Sequence, residues 1–141
     1  MPTARRALIL VEGNTHATGL QYVLATQRLG LHPITLSADP AQYDYLAAEG
    51  IEAIRVDTNN LDALIRECSR LRASYDIAGI TSAREAVYAT VGKLCRHFGL
   101  PGPTPESIEG CCDKFVQREL LAEAGVPVPA YRVAANATDV N

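Results

Sequence analysis

The sequence lacks several things that whole classes of function require. It has no apolar run near the roughly 18 residues that cross a bilayer, and Met1 to Arg6 leads into a strand pattern rather than a signal sequence. No membrane partner is expected, and the expected location is cytoplasmic. There is no excess of positive charge either: 13 Lys and Arg stand against 16 Asp and Glu, a formal net charge of −3, which argues against a nucleic acid as partner. The four cysteines have no C-x-x-C spacing. Cys68 and Cys95 fall on apolar helix faces and read as buried thiols. The adjacent Cys111 and Cys112 must point apart on a helix, which predicts one half-buried thiol and one more exposed. His16, His32 and His97 have no metal-site spacing, and no Ser/His/Asp or Cys/His pattern suggests a nucleophile. The residues therefore give no metal ligand and no catalytic residue. Repeats and low-complexity tracts are also missing.

What remains is a chain of 141 residues, 48% of them hydrophobic, long enough to bury about two-thirds of its unfolded surface. Short continuous apolar runs at Ala7–Val11, Ile34–Leu36, Ile51–Val56 and Ile77–Ile80 suit strands covered on both faces. Between them lie helical patterns: Leu20, Val23 and Leu24; Leu61, Leu64, Ile65, Cys68 and Leu71; Val87, Val91, Leu94, Cys95 and Phe98. Ala41–Glu49 predicts a further short helix. Gly30 and Gly99 fall where helices should end, and Asn60 can cap the helix that follows it. The alternation predicts an α/β fold, an open parallel sheet with helices on both faces, Rossmann-like in form.

After Gly99 the texture changes. Thr104 can cap a helix with Pro105 at its first position, and Asp113 can cap a second that carries Val116, Leu120 and Ala124 and ends at Gly125. Pro127 and Pro129 force an extended exit, and Tyr131–Val133 then reads as a strand with no visible partner.

Two loops could hold a ligand. EGNTHATGL, after the first strand, brings glycines and free amides to a helix start, where an anion is welcome. It spells neither G-x-x-x-x-G-K-[ST] nor G-x-G-x-x-G, so turn geometry and a ligand loop explain it equally well. SARE, at the end of the fourth strand, places Glu85 where open α/β sheets bind ligands. Its spacing favours a capping box between Ser82 and Glu85 over an ammonium contact. Asp39 reads as a turn residue, Tyr43 and Tyr45 as packing residues, and Lys114 beside Asp113 as a solvated charge pair.

LPGPTPESIEGCCDKFVQRELLAEAGVPVP resembles the junction that leads into the catalytic portion of ATP-grasp ligases. The preceding ILVEGNTHATG, LSADP, GIEAIRVDTNNLDAL and TSARE are similar to the leading domain of that family, most of all in its amino-acid ligase branch. The resemblance implies a pre-ATP-grasp domain over residues 1–102. Residues 103–141 would form a helical linker and the start of an ATP-grasp domain whose remainder is absent and would be the chain's principal partner. It further implies ATP-dependent joining of a small-molecule carboxylate to an amine through an acyl phosphate, with Lys114 reaching the nucleotide phosphates. Gly13, Asn14, Thr15 and Glu85 would face the substrate. ATP and Mg2+ are implied for the complete enzyme, with neither held tightly by this chain, and a homodimer is compatible with the sequence. The alternative is a stand-alone binding or assembly module of the same fold without chemistry. Phosphoryl transfer needs several positioned cations and metal-binding carboxylates, and this chain offers one such lysine. The isolated chain with ATP, magnesium and a panel of amino acids should therefore release no phosphate above background. Sustained release by pure protein would overturn the resemblance-based reading.

Overall fold

The computed structural model describes residues 3–14 and 17–140. Four parallel strands, β1 (Arg5–Val11), β2 (His32–Ser37), β3 (Glu52–Arg55) and β4 (Tyr75–Thr81), form one sheet in the order β3-β2-β1-β4. All four expected strands are present. Being central, β1 buries Ala7, Ile9, Leu10 and Val11. Helices α1 (Ala17–Arg28), α2 (Asp44–Ala48) and α3 (Leu61–Arg72) connect the strands, and α4 (Tyr88–Phe98) follows β4. The fold is thus the expected α/β open parallel sheet.

The main core lies on one face of the sheet. Ala7, Ile9, Val11, Ile34, Leu36, Ile77 and Ile80 cluster there with Leu64, Cys68 and Leu71 of α3 and with Val91, Leu94 and Cys95 of α4. Both expected buried thiols belong to it, and burial pushes Cys68 up to about 12, so it is inert at neutral pH. A register shift between Ala7 and Leu8 allows both Ile77 and Ile80 to face this core although they are three residues apart. On the opposite face α1 packs over β2, and Leu10, Thr35, Val23 and Thr26 are buried.

The expected helix ends are found. The side chain of Asn60 accepts the Ala63 amide at the start of α3, and α4 stops at Gly99, whose φ of 65° only glycine adopts without strain. The predicted Ala41–Glu49 helix is divided, however, into a 3-10 turn at Pro40–Gln42 and the short α2. Tyr43 lies between them outside the helical region (φ −113°, ψ 87°), with its phenol turned into the protein.

Two further helices follow, α5 (Pro105–Cys112), capped by Thr104, and α6 (Lys114–Glu123), capped by Asp113. The α5 helix lies on α4, because Gly92 leaves room for the Pro103 carbonyl and the Pro105 ring, and the Arg96–Glu106 and Lys93–Glu109 pairs bridge the two helices. Only Pro105 of α5 is buried, which corrects one expectation: Cys111 and Cys112 are both exposed. No residue of α6 is buried, and Phe115, Val116, Leu120 and Leu121 remain exposed. Tyr131–Val133 is a second correction. It forms no strand, since its phenol turns back to Glu119 and its ring meets Phe115 edge-on instead of presenting a backbone for pairing.

Burial predicts a sharp contrast in denaturant unfolding. Leu64→Ala, at a fully buried position, should cost about 2–5 kcal/mol. Leu120→Ser, at a position 53% exposed, should change stability by no more than about 0.5 kcal/mol. A comparable loss in both variants would mean that α6 packs against something in solution.

Candidate functional site

The strand order identifies the edge of interest. From β1 the chain moves outward to β2 and β3, then crosses back to place β4 on the other side of β1. The loops after β1 and β4 therefore diverge at their carboxyl ends, and open α/β sheets bind ligands in the crevice made by such a reversal. Glu12, Gly13 and Asn14 follow β1, Ser37 to Asp39 end β2, and Ser82 to Glu85 follow β4.

The residue that organises this edge is Glu12, which the sequence reading passed over. It is 3% exposed and holds a left-handed backbone conformation, φ 57°, unusual for a residue with a side chain. One carboxylate oxygen accepts the Ala38 amide at 2.8 Å and the Thr58 hydroxyl at 2.6 Å. The other accepts the Ser37 hydroxyl and the Tyr43 phenol, each at 2.8 Å. Burial alone would raise its pKa, but the donors from Thr58, Ala38, Ser37 and Tyr43 together outweigh it, and the carboxyl titrates below its ordinary range. A carboxylate directly after an apolar strand and before a glycine was the available signal.

The loop glycines have a steric explanation. The Tyr45 hydroxyl sits between Gly13 and Gly19, so that a Cβ on either glycine would collide with it; one on Gly19 would also come within 2.7 Å of the Asn14 carbonyl. The Gly13 amide donates to the Tyr43 phenol oxygen and the Asn14 amide to that of Tyr45. Burial, with help from Glu12, raises the pKa of Tyr43, so both phenols stay neutral donors and acceptors at ordinary pH. Thr15 and His16 lie outside the described residues. The Arg84 guanidinium lies near enough to Tyr43 to offset a little of the rise in its pKa.

The capping box expected at Ser82–Glu85 does not form. The Ser82 hydroxyl accepts the Arg84 amide at 2.9 Å, two residues on, and Glu85 opens a 3-10 turn, Glu85–Val87, that precedes α4. The Glu85 carboxylate is left to face outward, where it and Lys114 line the same cavity of about 500 Å³ together with Ala86, Ala89, Ile108, Cys112 and Glu109, the last of which pairs with Lys93. Desolvation and the neighbouring Glu85 carboxylate raise the pKa of the Cys112 thiol. Lys114, the first residue of α6, has no ion-pair partner among the described residues, and Asp113 is occupied with the amides of Phe115 and Val116. The expected Asp113–Lys114 charge pair is thus replaced by a helix cap and an exposed lysine. Gly13 and Asn14 lie apart from this cavity, on the Tyr43–Tyr45 side of the edge. Asp39 pairs with Arg55 at 3.0 Å, in keeping with a turn residue. Among the described residues no three His, Cys, Asp or Glu side chains converge as metal ligands.

No family model matches the sequence. The chain is 66% identical over 136 residues to y4rH, an uncharacterized protein of Sinorhizobium fredii; the match takes in 96% of this chain and 28% of that protein. It thus spans little more than a quarter of this relative's length. Among solved structures, an L-amino acid ligase from Bacillus licheniformis resembles the whole chain with a TM-score of 0.75 at 16% identity, and 35% of the ligase is covered. MurG from Acinetobacter baumannii resembles 70% of the chain with a TM-score of 0.52 at 13% identity, over 32% of its own length. These likenesses establish a shared fold, with the ligase likeness running through α5 and α6 as well as the sheet.

The Glu12 cluster predicts a specific pH dependence. Because its folded-state pKa is depressed, its contribution is present above the ordinary value of 4.5 and is lost as pH falls through the lower folded value. Glu12→Gln should cost about 2–4 kcal/mol at pH 7, since the amide group turns a donor toward the hydroxyls. In urea titrations the gap between the two proteins should narrow below about pH 4. A gap independent of pH would deny the carboxylate this role.

Proposed function

We propose that the chain is the leading part of an ATP-dependent carboxylate–amine ligase, acting on amino-acid substrates and inactive without the remainder of the enzyme. The observation that carries this reading is the pairing of Glu85 with Lys114. The two come from distant segments of sequence, have opposite charge, and line one cavity at the sheet edge where such folds take ligands. The ligase-like fold over the whole chain supports it, as does the much longer relative.

In this reading Glu85 receives the ammonium group of the amine substrate. Lys114 donates a charge-assisted hydrogen bond to an ATP phosphate, a role suited to an amine on an exposed helix start that forms no ion pair among the described residues. ATP supplies the phosphoryl group that activates the carboxylate. Among the described residues no three His, Cys, Asp or Glu side chains converge, and in this reading Mg2+ would be held by carboxylates of the longer enzyme. In this reading Gly13 and Asn14 face the substrate from the start of the loop that the Glu12 cluster fixes, and the same role is carried over to Thr15, which lies outside the described residues. The exposed apolar residues of α6 are the surface on which the ATP-grasp portion would pack.

The test is Lys114→Ala in the longer polypeptide. ATP affinity should fall by about ten- to a hundredfold, while unfolding stability changes by less than about 1 kcal/mol. Unchanged ATP affinity would reject the nucleotide role and leave a shared fold without shared chemistry.

A further inference from the structure

The face of the sheet that carries α1 is only partly covered. Leu10 on β1 is 3% exposed, yet Leu8 on the same central strand is half-buried, as is its neighbour Gly79 on β4. Above them lies an open groove of about 580 Å³, walled by Tyr22 of α1, Tyr88 of α4, the Pro101–Pro103 turn and Ile108 of α5. Its size is that of a small-molecule site. Ile108 also lines the cavity that holds Glu85 and Lys114, so the two spaces meet on α5. Electrostatics show the same proximity: the pKa of Tyr88 is raised by burial and then by Tyr22, Glu85 and Cys112.

We propose that this groove is a side-chain subsite for an amine substrate with a flat aromatic side chain, its ammonium at Glu85 and its ring over Leu8 and Gly79 between the two tyrosines. The inference rests on the reading of Glu85 as the ammonium contact and adds the substrate class. The Glu85 carboxylate lies in the adjoining cavity, which meets at Ile108 a groove lined mainly by apolar and aromatic residues with Thr81 and Ser82 among them, and this arrangement matches a cation attached to an apolar body. Gly79 leaves the floor flat, since a Cβ there would reach only the Leu8 Cδ1, at 3.2 Å. Tyrosine and proline walls favour a ring over a branched chain, because they offer faces and edges to stack against.

The chain holds every wall of this groove, so it can be titrated directly, with phenylalaninamide, glycinamide and N-acetylphenylalaninamide as probes and amide NMR shifts as readout. Phenylalaninamide should bind at least about tenfold tighter than glycinamide, moving the Gly79, Ser82 and Tyr88 signals. It should also bind tighter than the uncharged N-acetyl compound. Gly79→Val adds a β-branched residue suited to a strand and meets only a flexible leucine end; with its melting temperature unchanged, it should erase the preference for the ring. Equal affinity for phenylalaninamide and glycinamide, a preference that survives Gly79→Val, or no saturable shift with any probe would overturn the subsite. Glu85→Gln separates the two ideas: phenylalaninamide affinity unchanged in that variant would remove the ammonium reading, even if ring binding in the groove persisted.

Discussion

The buried carboxylate of Glu12 is the constraint on which the edge of this sheet depends. A charge removed from water is tolerable only when its lone pairs are filled, and here four donors fill them from three segments beyond β1. Each bond fixes something else. The Ser37 and Ala38 contacts hold the end of β2, Thr58 holds the loop that leads into α3, and the Tyr43 phenol holds the break between the 3-10 turn and α2. The unusual backbone at Glu12 is sustained by the same bonds. It turns the chain at the end of β1 so that Gly13 and Asn14 can meet the two tyrosines.

This rigidity contrasts with the other half of the edge. Glu85 and Lys114 face an open cavity, joined to a groove over the uncovered part of the sheet, and α6 buries none of its side chains. The buried, fully bonded charge is thereby separated from the exposed ones. Glu12 is saturated with donors inside the protein and has no capacity left for a ligand, whereas Glu85 and Lys114 form no ion pair among the described residues. The unsatisfied pair is the one suited to recognise something from solution.

Much of the fold was legible in the sequence because it rests on periodicity and punctuation. The four apolar runs all form strands, although the edge strand β3 is only half-buried; Asn60, Thr104 and Asp113 are capping side chains, and Gly30, Gly99 and Gly125 take the positive φ that ends a helix. The misreadings share a cause: each depended on a tertiary partner that no local pattern contains. Tyr43 interrupts a good helical pattern because Glu12 lies within reach of its phenol. Ser82 and Glu85 have capping-box spacing, but the Ser82 hydroxyl is taken by the nearer Arg84 amide. Tyr131–Val133 has strand-forming residues and no neighbouring strand, so its ring settles on α6. Glu85 and Lys114 could be named from sequence one at a time, through resemblance. Their common cavity depends on how α5 lies against α4, through Gly92 and the Arg96–Glu106 pair.

If the proposed ligase reading holds, the longer polypeptide would transfer the terminal phosphoryl group of ATP to a carboxylate before the amine attacks. Positional isotope exchange measures that step. ATP labelled in its β,γ-bridging oxygen, incubated with the longer polypeptide, magnesium and an amino acid whose amine is blocked, should scramble the label into the β-phosphate non-bridging positions. Scrambling should require the free carboxylate. No scrambling with any such carboxylate while ATP is demonstrably bound, or scrambling that proceeds equally without one, would contradict the account.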